Sequence, residues 1–207
     1  NAGVPTLEFL AWTNATTRAT ALVLQDGVLV KSGAATRRYL GTFYTTSTTT
    51  TEDSAAKRFL WNYNHRVGRN MAVVDSTDSW TYTTATYQQA RATAANQLDF
   101  VIGVSEDSVK ADVLGSCSNG NVGTVFGSVG IGIDSTTVNS ANIYVAADIG
   151  GASGRLTLSN ASYRGFPGIG RHTLVWLEKS TATGTTTWQG DNASTFTQSG
   201  ISGEVTG

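Results

Sequence analysis

The sequence predicts an all-β protein: an antiparallel β-sandwich of jelly-roll type with one short helix near residues 53–65. The 207 residues include 32 Thr, 19 Ser and 23 Gly but a single Met, a composition that favours short strands and turns over helices. Asp26-Gly27 stands between two short apolar runs and predicts a hairpin, because type I′ turns need positive φ at both central positions. Strand-like runs then recur at hairpin spacing along the rest of the chain.

Each predicted strand is a short run in which β-branched, aromatic or aliphatic residues stand together or alternate with polar ones. The runs are residues 6–12, 19–24, 28–31, 37–44, 79–83, 98–104, 110–114, 124–133, 142–147, 155–163, 173–179, 185–189 and 201–205. About a dozen short strands without alternating helical patterns indicate a sandwich or a barrel rather than a fold of alternating strands and helices.

The predicted helix near residues 53–65 depends on a capping pattern and an apolar spacing. Residues 52–54 (Glu-Asp-Ser) offer an N-cap and negative charge at the start of a helix. Ala55, Phe59 and Tyr63 then recur at i, i+4 and i+8, which places them on one face of a helix. We expect this face to pack against the sheets.

We expect residues 1–207 to form a single β-sandwich domain that is the C-terminal part of a longer chain. The sequence begins with Asn1 and enters a strand-like run at Thr6, with no leader pattern before it. No stretch is typical of an interdomain linker. No repeat of roughly 20 to 50 residues is visible, which argues against propellers and solenoids.

The charge balance argues against two classes of partner. Fourteen Lys and Arg stand against 15 Asp and Glu, for a formal net charge of −1. A nucleic-acid-binding domain needs a basic surface. No polybasic segment and no long apolar run offers membrane attachment or insertion. We therefore expect neither a nucleic-acid partner nor membrane insertion.

Few side chains in this sequence could carry catalysis. The chain has two histidines, His65 and His172, and one cysteine, Cys117. A Ser-His-Asp triad would need one of these histidines, and no G-x-S-x-G motif supplies a nucleophile elbow. No metal-ligand spacing or dinucleotide fingerprint is present. We predict that the protein is not an enzyme and uses no cofactor or metal.

Pairs of carboxylates are the remaining catalytic alternative. Asp75 with Asp78, and Glu106 with Asp107, lie close together in the sequence. A glycosidase places two carboxylates about 5 to 9.5 Å apart across a sugar, a distance that sequence spacing does not determine. The first pair fits a turn and the second a loop between strands. A glycan-degrading enzyme is kept as an alternative.

One aromatic residue is a candidate for ligand contact. Trp188 is surrounded by small polar residues, which favours an exposed position from which its ring could stack on a sugar. Gln189, Asp191 and Asn192 follow it and could bond the sugar hydroxyls. In the alternative interpretation, Trp188 anchors its loop to the sheet or packs at a subunit interface.

Several segments resemble bacteriophage virion structural proteins of the tail-fibre-like or appendage type. The resemblance covers mainly residues 7–67. Its segments are LEFLAWTNATTRATAL (residues 7–22), QDGVLVKSG (residues 25–33), TRRYLGT (residues 36–42) and TEDSAAKRFLWNY (residues 51–63). It is looser at residues 100–103 and 130–135. The family carries no assigned activity, so the resemblance implies no catalytic residues.

This resemblance implies a non-enzymatic component of the virion, a tail fibre or related appendage domain that contributes to host-surface recognition. Such domains are commonly homotrimers, so the expected partners are other copies of the chain, other virion proteins and a host cell-surface glycan. Two alternatives stay open. One is a capsid decoration or head fibre protein without a receptor role, and the other is a glycan-degrading tailspike enzyme.

Overall fold

The computed structural model describes residues 3–151, 155–193 and 196–207, and almost all regular structure in them is β-strand. The strands are β1 (Trp12–Asn14), β2 (Thr17–Arg18), β3 (Leu22–Gln25), β4 (Val28–Lys31), β5 (Ala34–Arg38), β6 (Gly41–Phe43), β7 (Lys57–Arg58), β8 (Leu60–Asn62), β9 (Gly68–Val74), β10 (Ser79–Thr81), β11 (Gln88–Gln89), β12 (Gln97–Ile102), β13 (Val109–Asn119), β14 (Phe126–Ile133), β15 (Ile143–Asp148), β16 (Thr157–Gly165), β17 (Gly170–Ser180), β18 (Thr186–Gln189) and β19 (Gly200–Thr206). In the described part of the chain, the one helical segment is a short 3₁₀ turn, Ala90–Ala92. The predicted all-β class is confirmed.

Two facing sheets form the body of the molecule. In the first sheet, β13 pairs with β16 on one side and with β19 and β18 on the other, while β9 and β10 extend the sheet beyond them. In the second sheet, β17 pairs with β14 on one side and with β12 and β11 on the other. Among the named strands, the short pair β7–β12 is the one parallel ladder. This is the sandwich architecture that the sequence predicts.

Strand β15 joins the two sheets at one edge. Its first half, residues 143–145, pairs with β16 of the first sheet, and its second half, residues 146–148, pairs with β14 of the second. A strand that changes partners in this way closes one edge of a sandwich, so fewer backbone groups are left unpaired at that edge. The two sheets therefore form one continuous curled ladder.

The core lies between the sheets, where inward-facing side chains from both interdigitate. Cys117 from β13 and Trp176 from β17 have no exposed surface. Gly115 allows close approach of the sheets, because a Cβ there would lie 2.6 Å from Cγ1 of Val129. Burial raises the pKa of the Cys117 thiol to about 12, helped by the negative charge of Glu178. The thiol is therefore neutral and packs as an apolar group.

The helix predicted near residues 53–65 is wrong, because this segment forms a turn followed by β7 and β8. Phe59 and Trp61 are buried while Leu60 between them is 50% exposed, which is the period of a strand. Tertiary partners determine this conformation. Phe43 of β6 pairs with Leu60, and the Trp61 indole N–H donates to the buried carboxylate of Asp107 at 2.8 Å.

Residues 3–67, here called the N-terminal region, form small ladders beside the sandwich, apart from β7, which pairs with β12 of the second sheet. The Arg18 guanidinium lies over the rings of Trp12 and Tyr39, at 4.7 and 5.0 Å from their centroids. It also donates to the carbonyl of Gly103 at 2.6 Å, in the loop after β12. Tyr39 stacks in turn on Trp61. Aromatic packing and one cation thus join this region to the sandwich.

Candidate functional site

Trp188 is fully buried, so the expectation of an exposed stacking platform is wrong. It lies on β18 between β10 and β13, where its direct neighbours are Trp80 and Cys117. Its indole N–H donates to the carbonyl of Tyr82 at 3.0 Å. The surrounding small polar residues suggested exposure, but β18 is an inner strand of the first sheet. The side chain occupies the anchoring position of the alternative interpretation.

The three polar residues grouped with Trp188 are not presented together. Gln189 is half-buried on β18, and Asp191 is 9% exposed. Asn192 is exposed and has a positive φ of 46°, a conformation that asparagine tolerates in turns. Of the four residues, Asn192 therefore offers the most accessible side chain. Glycan contact by this loop stays a prediction.

The buried His172 forms a pair with Asp134, whose carboxylate is 47% exposed. Its Nδ1 lies 2.7 Å from an oxygen of Asp134, and the imidazole is 4% exposed and packs beside Phe100. Burial raises the pKa of Asp134, but the bonds from His172 and from the backbone N–H of Thr173 outweigh it and lower the pKa overall. Among the described residues, Nε2 of His172 has no hydrogen-bond partner, so no hydroxyl nucleophile is bonded to it.

The carboxylates of the two pairs noted in the sequence bind side chains and backbone groups of neighbouring loops and hold those loops in place. Asp107 accepts a bond from Trp61 and lies 2.8 Å from the guanidinium of Arg66, which also pairs with Glu106 at 3.0 Å. Burial raises the pKa of Asp107, and the bonds from Trp61 and Arg66 oppose this. This cluster fixes the N-terminal region to the loop after β12.

Asp75 and Asp78 also have separate partners. Asp75 is buried and accepts bonds from Arg91 at 2.8 Å and Asn96 at 2.7 Å. Burial raises its pKa, but the bonds from Asn96, Thr77 and Arg91 outweigh that influence and lower it. Asp78 accepts the backbone N–H of Ala193 at 3.2 Å.

Sequence reasoning missed a buried carboxylate, Glu178, on the inner face of β17. Its oxygens accept bonds from the Trp80 indole at 2.8 Å, the Gln88 amide at 2.8 Å and the Arg91 backbone N–H at 3.1 Å. Burial raises its pKa to about 7, these bonds oppose the rise, and the charge of Asp75 adds to it. The available signal was the alternation of Leu174, Trp176 and Glu178 along one strand, which places all three inside.

An exposed apolar surface lies on the outer face of the first sheet, where a sandwich ordinarily presents polar residues. We call it the sheet-face patch. Its members are Val74 (58% exposed), Leu114 (46%), Ile143 (71%), Val145 (54%) and Leu158 (57%). Contiguous exposed apolar side chains mark interaction sites more often than scattered ones do.

The register of the strands shows that the members of the sheet-face patch share one face of the sheet, with Gly200 and Asn160 between them. One row across the sheet runs Val74–Gly200–Leu114–Asn160–Val145, from β9 to β15. The glycine and its small neighbours leave a shallow groove of about 330 Å³ along this face. The patch is therefore a shaped surface on five adjacent strands.

Ion pairs border the sheet-face patch on the same face of the sheet. Lys110 pairs with Glu204 at 3.2 Å, and Arg164 pairs with Asp112 at 2.9 Å. All four side chains are substantially exposed, so each pair adds little stability by itself. An apolar centre with a polar border is the usual arrangement of a protein–protein interface.

A second exposed apolar surface, the N-terminal patch, consists of Phe9, Phe43 and Leu60. Phe43 and Leu60 are paired on β6 and β8 and are 42% and 50% exposed. Phe9 is 69% exposed and packs edge-on against Phe43, with ring centroids 5.6 Å apart. Next to Phe9, Glu8 pairs with Lys31 and Arg37.

The described residues contain no group of three or more His, Cys, Asp or Glu placed to hold a metal ion. In the same ranges, no helix is long and apolar enough to cross a membrane.

Comparisons with protein-family models and with curated proteins gave no match. Among solved structures, a chain from a structure titled "Structure of infectious bursal disease virus Gx strain" is similar at 11% identity and a TM-score of 0.33. The alignment covers 86% of this chain and 41% of that one, so this chain spans about two fifths of the neighbour's length. A likeness at this TM-score establishes neither a shared fold nor a shared function.

Proposed function

We propose that this protein is a non-enzymatic structural component of a virus particle that assembles with copies of itself. The observation that carries the proposal is the pair of exposed apolar surfaces, the sheet-face patch and the N-terminal patch. A chain that folds with this much apolar surface exposed gains stability when another subunit covers it. The resemblance of residues 7–67 to phage virion proteins supports the particle as the place of assembly.

The positions of the ionisable side chains support a role without catalysis. Glu178, Asp75 and His172 are buried, and each has hydrogen-bond partners in the fold. The groove on the first sheet is lined by aliphatic, small and neutral polar side chains with Asp112, whose carboxylate pairs with Arg164. A hydrolase would need two proton-transferring groups at an accessible site.

In its finer form the proposal is a homotrimeric domain of a phage tail fibre or related appendage that contacts the host surface through loops. Loops vary at little cost to the scaffold, and Asn192 belongs to an exposed loop of this kind. A capsid decoration protein without a receptor role is the competing form. The two forms predict different positions on the particle.

Locating the domain on the intact virus particle tests the proposal. Antibodies against the chain, followed by electron microscopy, should label the tail or its fibres if the domain belongs to an appendage. Labelling confined to the capsid lattice would support the decoration form and contradict the tail-fibre form. Absence of the chain from purified particles would contradict the structural role itself.

A further inference from the structure

We propose that residues 84–96, here called the strap, are held closed on the sandwich by the buried side chain of Glu178 and open as the pH rises from 5 towards neutrality. The strap lies between β10 and β12 and contains β11 and the 3₁₀ turn. It runs along β17 of the second sheet, with which β11 pairs. Its opening is a local event that leaves the two sheets in place, and it does not depend on the proposed assembly.

The backbone of the strap is attached to β17 near its middle and near both ends. In the middle, β11 pairs with β17 over two residues. Near the ends, Ser180 donates its backbone N–H to the carbonyl of Thr84 at 3.0 Å, and Trp176 donates to the carbonyl of Asn96 at 3.1 Å. Pairing this short gives little resistance to local opening, so the side chains decide whether the strap stays closed.

Two buried carboxylates, one from each sheet, bind the middle of the strap. Glu178 of β17 accepts bonds from the Gln88 amide at 2.8 Å and from the backbone N–H of Arg91 at 3.1 Å. Asp75, which follows β9 of the first sheet, accepts bonds from the Arg91 guanidinium at 2.8 Å and from the Asn96 amide at 2.7 Å. Arg91 therefore connects the strap to both sheets.

The backbone of the strap is strained where these bonds meet. Arg91 and Ala92 have φ angles of 57° and 48°, in the left-handed region that crowds the Cβ of an L-amino acid. Conformations of this kind persist when the surrounding structure holds them. Here the bonds to Glu178 and Asp75 hold the turn, so the strain favours opening when either bond weakens.

Glu178 is the group beside the strap whose charge changes near neutral pH. Burial raises its pKa to about 7, its hydrogen bonds oppose the rise, and the charge of Asp75 adds to it. The hydrogen bonds of Asp75 outweigh its burial and keep its pKa below the ordinary value, so Asp75 is ionised throughout this range. Arg91 is cationic. Burial raises the pKa of Cys117, on the facing β13, to about 12, so the thiol is neutral.

Another side of the strap is held by contacts that do not change charge in this range. The hydroxyl of Tyr87 lies 3.2 Å from that of Ser128, and the ammonium of Lys179 lies 4.6 Å from the centre of the Tyr87 ring. Burial raises the pKa of Tyr87, so its hydroxyl stays protonated. These contacts hold the strap equally at acid and at neutral pH.

The pH dependence of opening follows from the two environments of Glu178. Opening removes the two donors of the strap and admits water, which restores the ordinary pKa of 4.5. The closed strap therefore binds the proton more tightly than the open strap does. The contribution of this proton to closure is fully present below pH 4.5 and is lost as the pH rises through 7. The open population rises about tenfold per pH unit between these limits, and about 50-fold from pH 5 to pH 7.5.

Hydrogen exchange of the full chain at pH 5 and pH 7.5 tests the inference. Protection factors, which correct each exchange rate for the intrinsic rate at the same pH, measure the open population. We expect the amides of the strap to be less protected than those of β13 at both pH values, and to lose protection by about 50-fold from pH 5 to pH 7.5. Glu178→Gln should abolish this loss. Glu106→Gln, the same change at a 63% exposed carboxylate, is the matched control and should retain it.

A second variant tests the strain in the turn and does not disturb the carboxylate. Ala92→Gly should raise the protection of the strap by about threefold at both pH values, because glycine adopts a φ of 48° without steric cost. It should keep the pH dependence of wild type, since Glu178 is unchanged. Wild type and Ala92→Gly together test the inference if Glu178→Gln fails to fold, and unchanged protection in Ala92→Gly would contradict the role of strain.

Three results would overturn the inference. Equal protection of the strap and of β13 would mean that the strap opens only when the whole chain unfolds. Equal protection of the strap at pH 5 and pH 7.5 in wild type would mean that no proton controls its opening. A pH dependence that persists in Glu178→Gln would assign the control to another group.

Discussion

Replacing Glu178 with glutamine is expected to remove a specific part of the dependence of folding stability on pH. Glu178 is buried, with three N–H donors around its carboxylate. Burial raises its pKa from 4.5 to about 7 in the folded chain. The folded state therefore binds this proton more tightly than the unfolded state does. Its contribution to stability is fully present below pH 4.5 and is lost as the pH rises through 7.

The magnitude follows from the size of the pKa shift. The difference between 4.5 and about 7 corresponds to about 3 kcal/mol in the free energy of unfolding. Between these values unfolding releases one proton from Glu178, so the free energy of unfolding falls by about 1.4 kcal/mol per pH unit. The pKa values of Asp75, Asp112 and Asp134 are lowered, so those groups titrate below this window.

Urea unfolding of wild type and Glu178→Gln, followed by tryptophan fluorescence at several pH values between 5 and 8 and at one protein concentration, measures this effect. The glutamine amide has a single acceptor oxygen, so it cannot accept from Trp80 on one side and from Gln88 and Arg91 on the other, and the donor left unpaired costs about 1 to 3 kcal/mol. The slope, rather than the absolute stability, is therefore the diagnostic quantity. Asp107 also has a raised pKa, so it too contributes stability that is lost as the pH rises. It is present in both proteins and contributes equally to both slopes. Equal slopes in the two proteins would refute the reasoning.

Two further substitutions test the packing. Phe59→Ala should lower the free energy of unfolding by about 3 to 5 kcal/mol, because Phe59 is buried against Tyr44; an unchanged urea midpoint would mean that this contact is not formed. Trp188→Ala should lower the free energy of unfolding by about 3 to 5 kcal/mol and lower the melting temperature, since the ring is buried between the sheets. A loss of host adsorption at unchanged melting temperature would instead favour recognition of the host by Trp188. Val122→Ala is the control for both, because Val122 is 80% exposed, and it should change stability by no more than about 0.5 kcal/mol.

Local signals in the sequence were sufficient where neighbouring residues determine the structure. The predicted hairpin is confirmed, with β3 and β4 paired and positive φ at both Asp26 (51°) and Gly27 (81°). The core strand predicted at residues 98–104 corresponds to β12, Gln97–Ile102. In these cases turn chemistry and alternation decide the conformation without help from distant residues.

The predictions from sequence were wrong where residues distant in the sequence determine the local conformation. The spacing of Ala55, Phe59 and Tyr63 fits a helix, but Trp61 is bonded to Asp107 across 46 positions of the sequence. Such contacts override local propensity. That residues 1–207 form one domain and end a longer chain stays a prediction.

Contacts between residues distant in the sequence also determine the environment of the site residues. The burial of Trp188 depends on β18 lying between β10 and β13, and no local pattern gives that strand order. The donors to Glu178 include Trp80 and Gln88, which lie about 90 or more positions away in the sequence. The exposed sheet-face patch likewise becomes visible only when the register aligns Val74, Leu114 and Val145. Each of these features is a property of strand pairing.

Because Cys117 is buried, the reactivity of its thiol reports how often the folded chain opens. The thiolate is the form that reacts with alkylating reagents, and a pKa of about 12 leaves almost none of it at neutral pH. Alkylating reagents can therefore modify this sulfur only when the sandwich opens. The modification rate measures how often the sandwich opens, and no label has to be introduced into the chain. Because this is the one cysteine of the sequence, a cysteine introduced at Val122 would be the fast-reacting thiol of the native protein. Dyes or cross-linkers could then be attached there while the natural cysteine is retained.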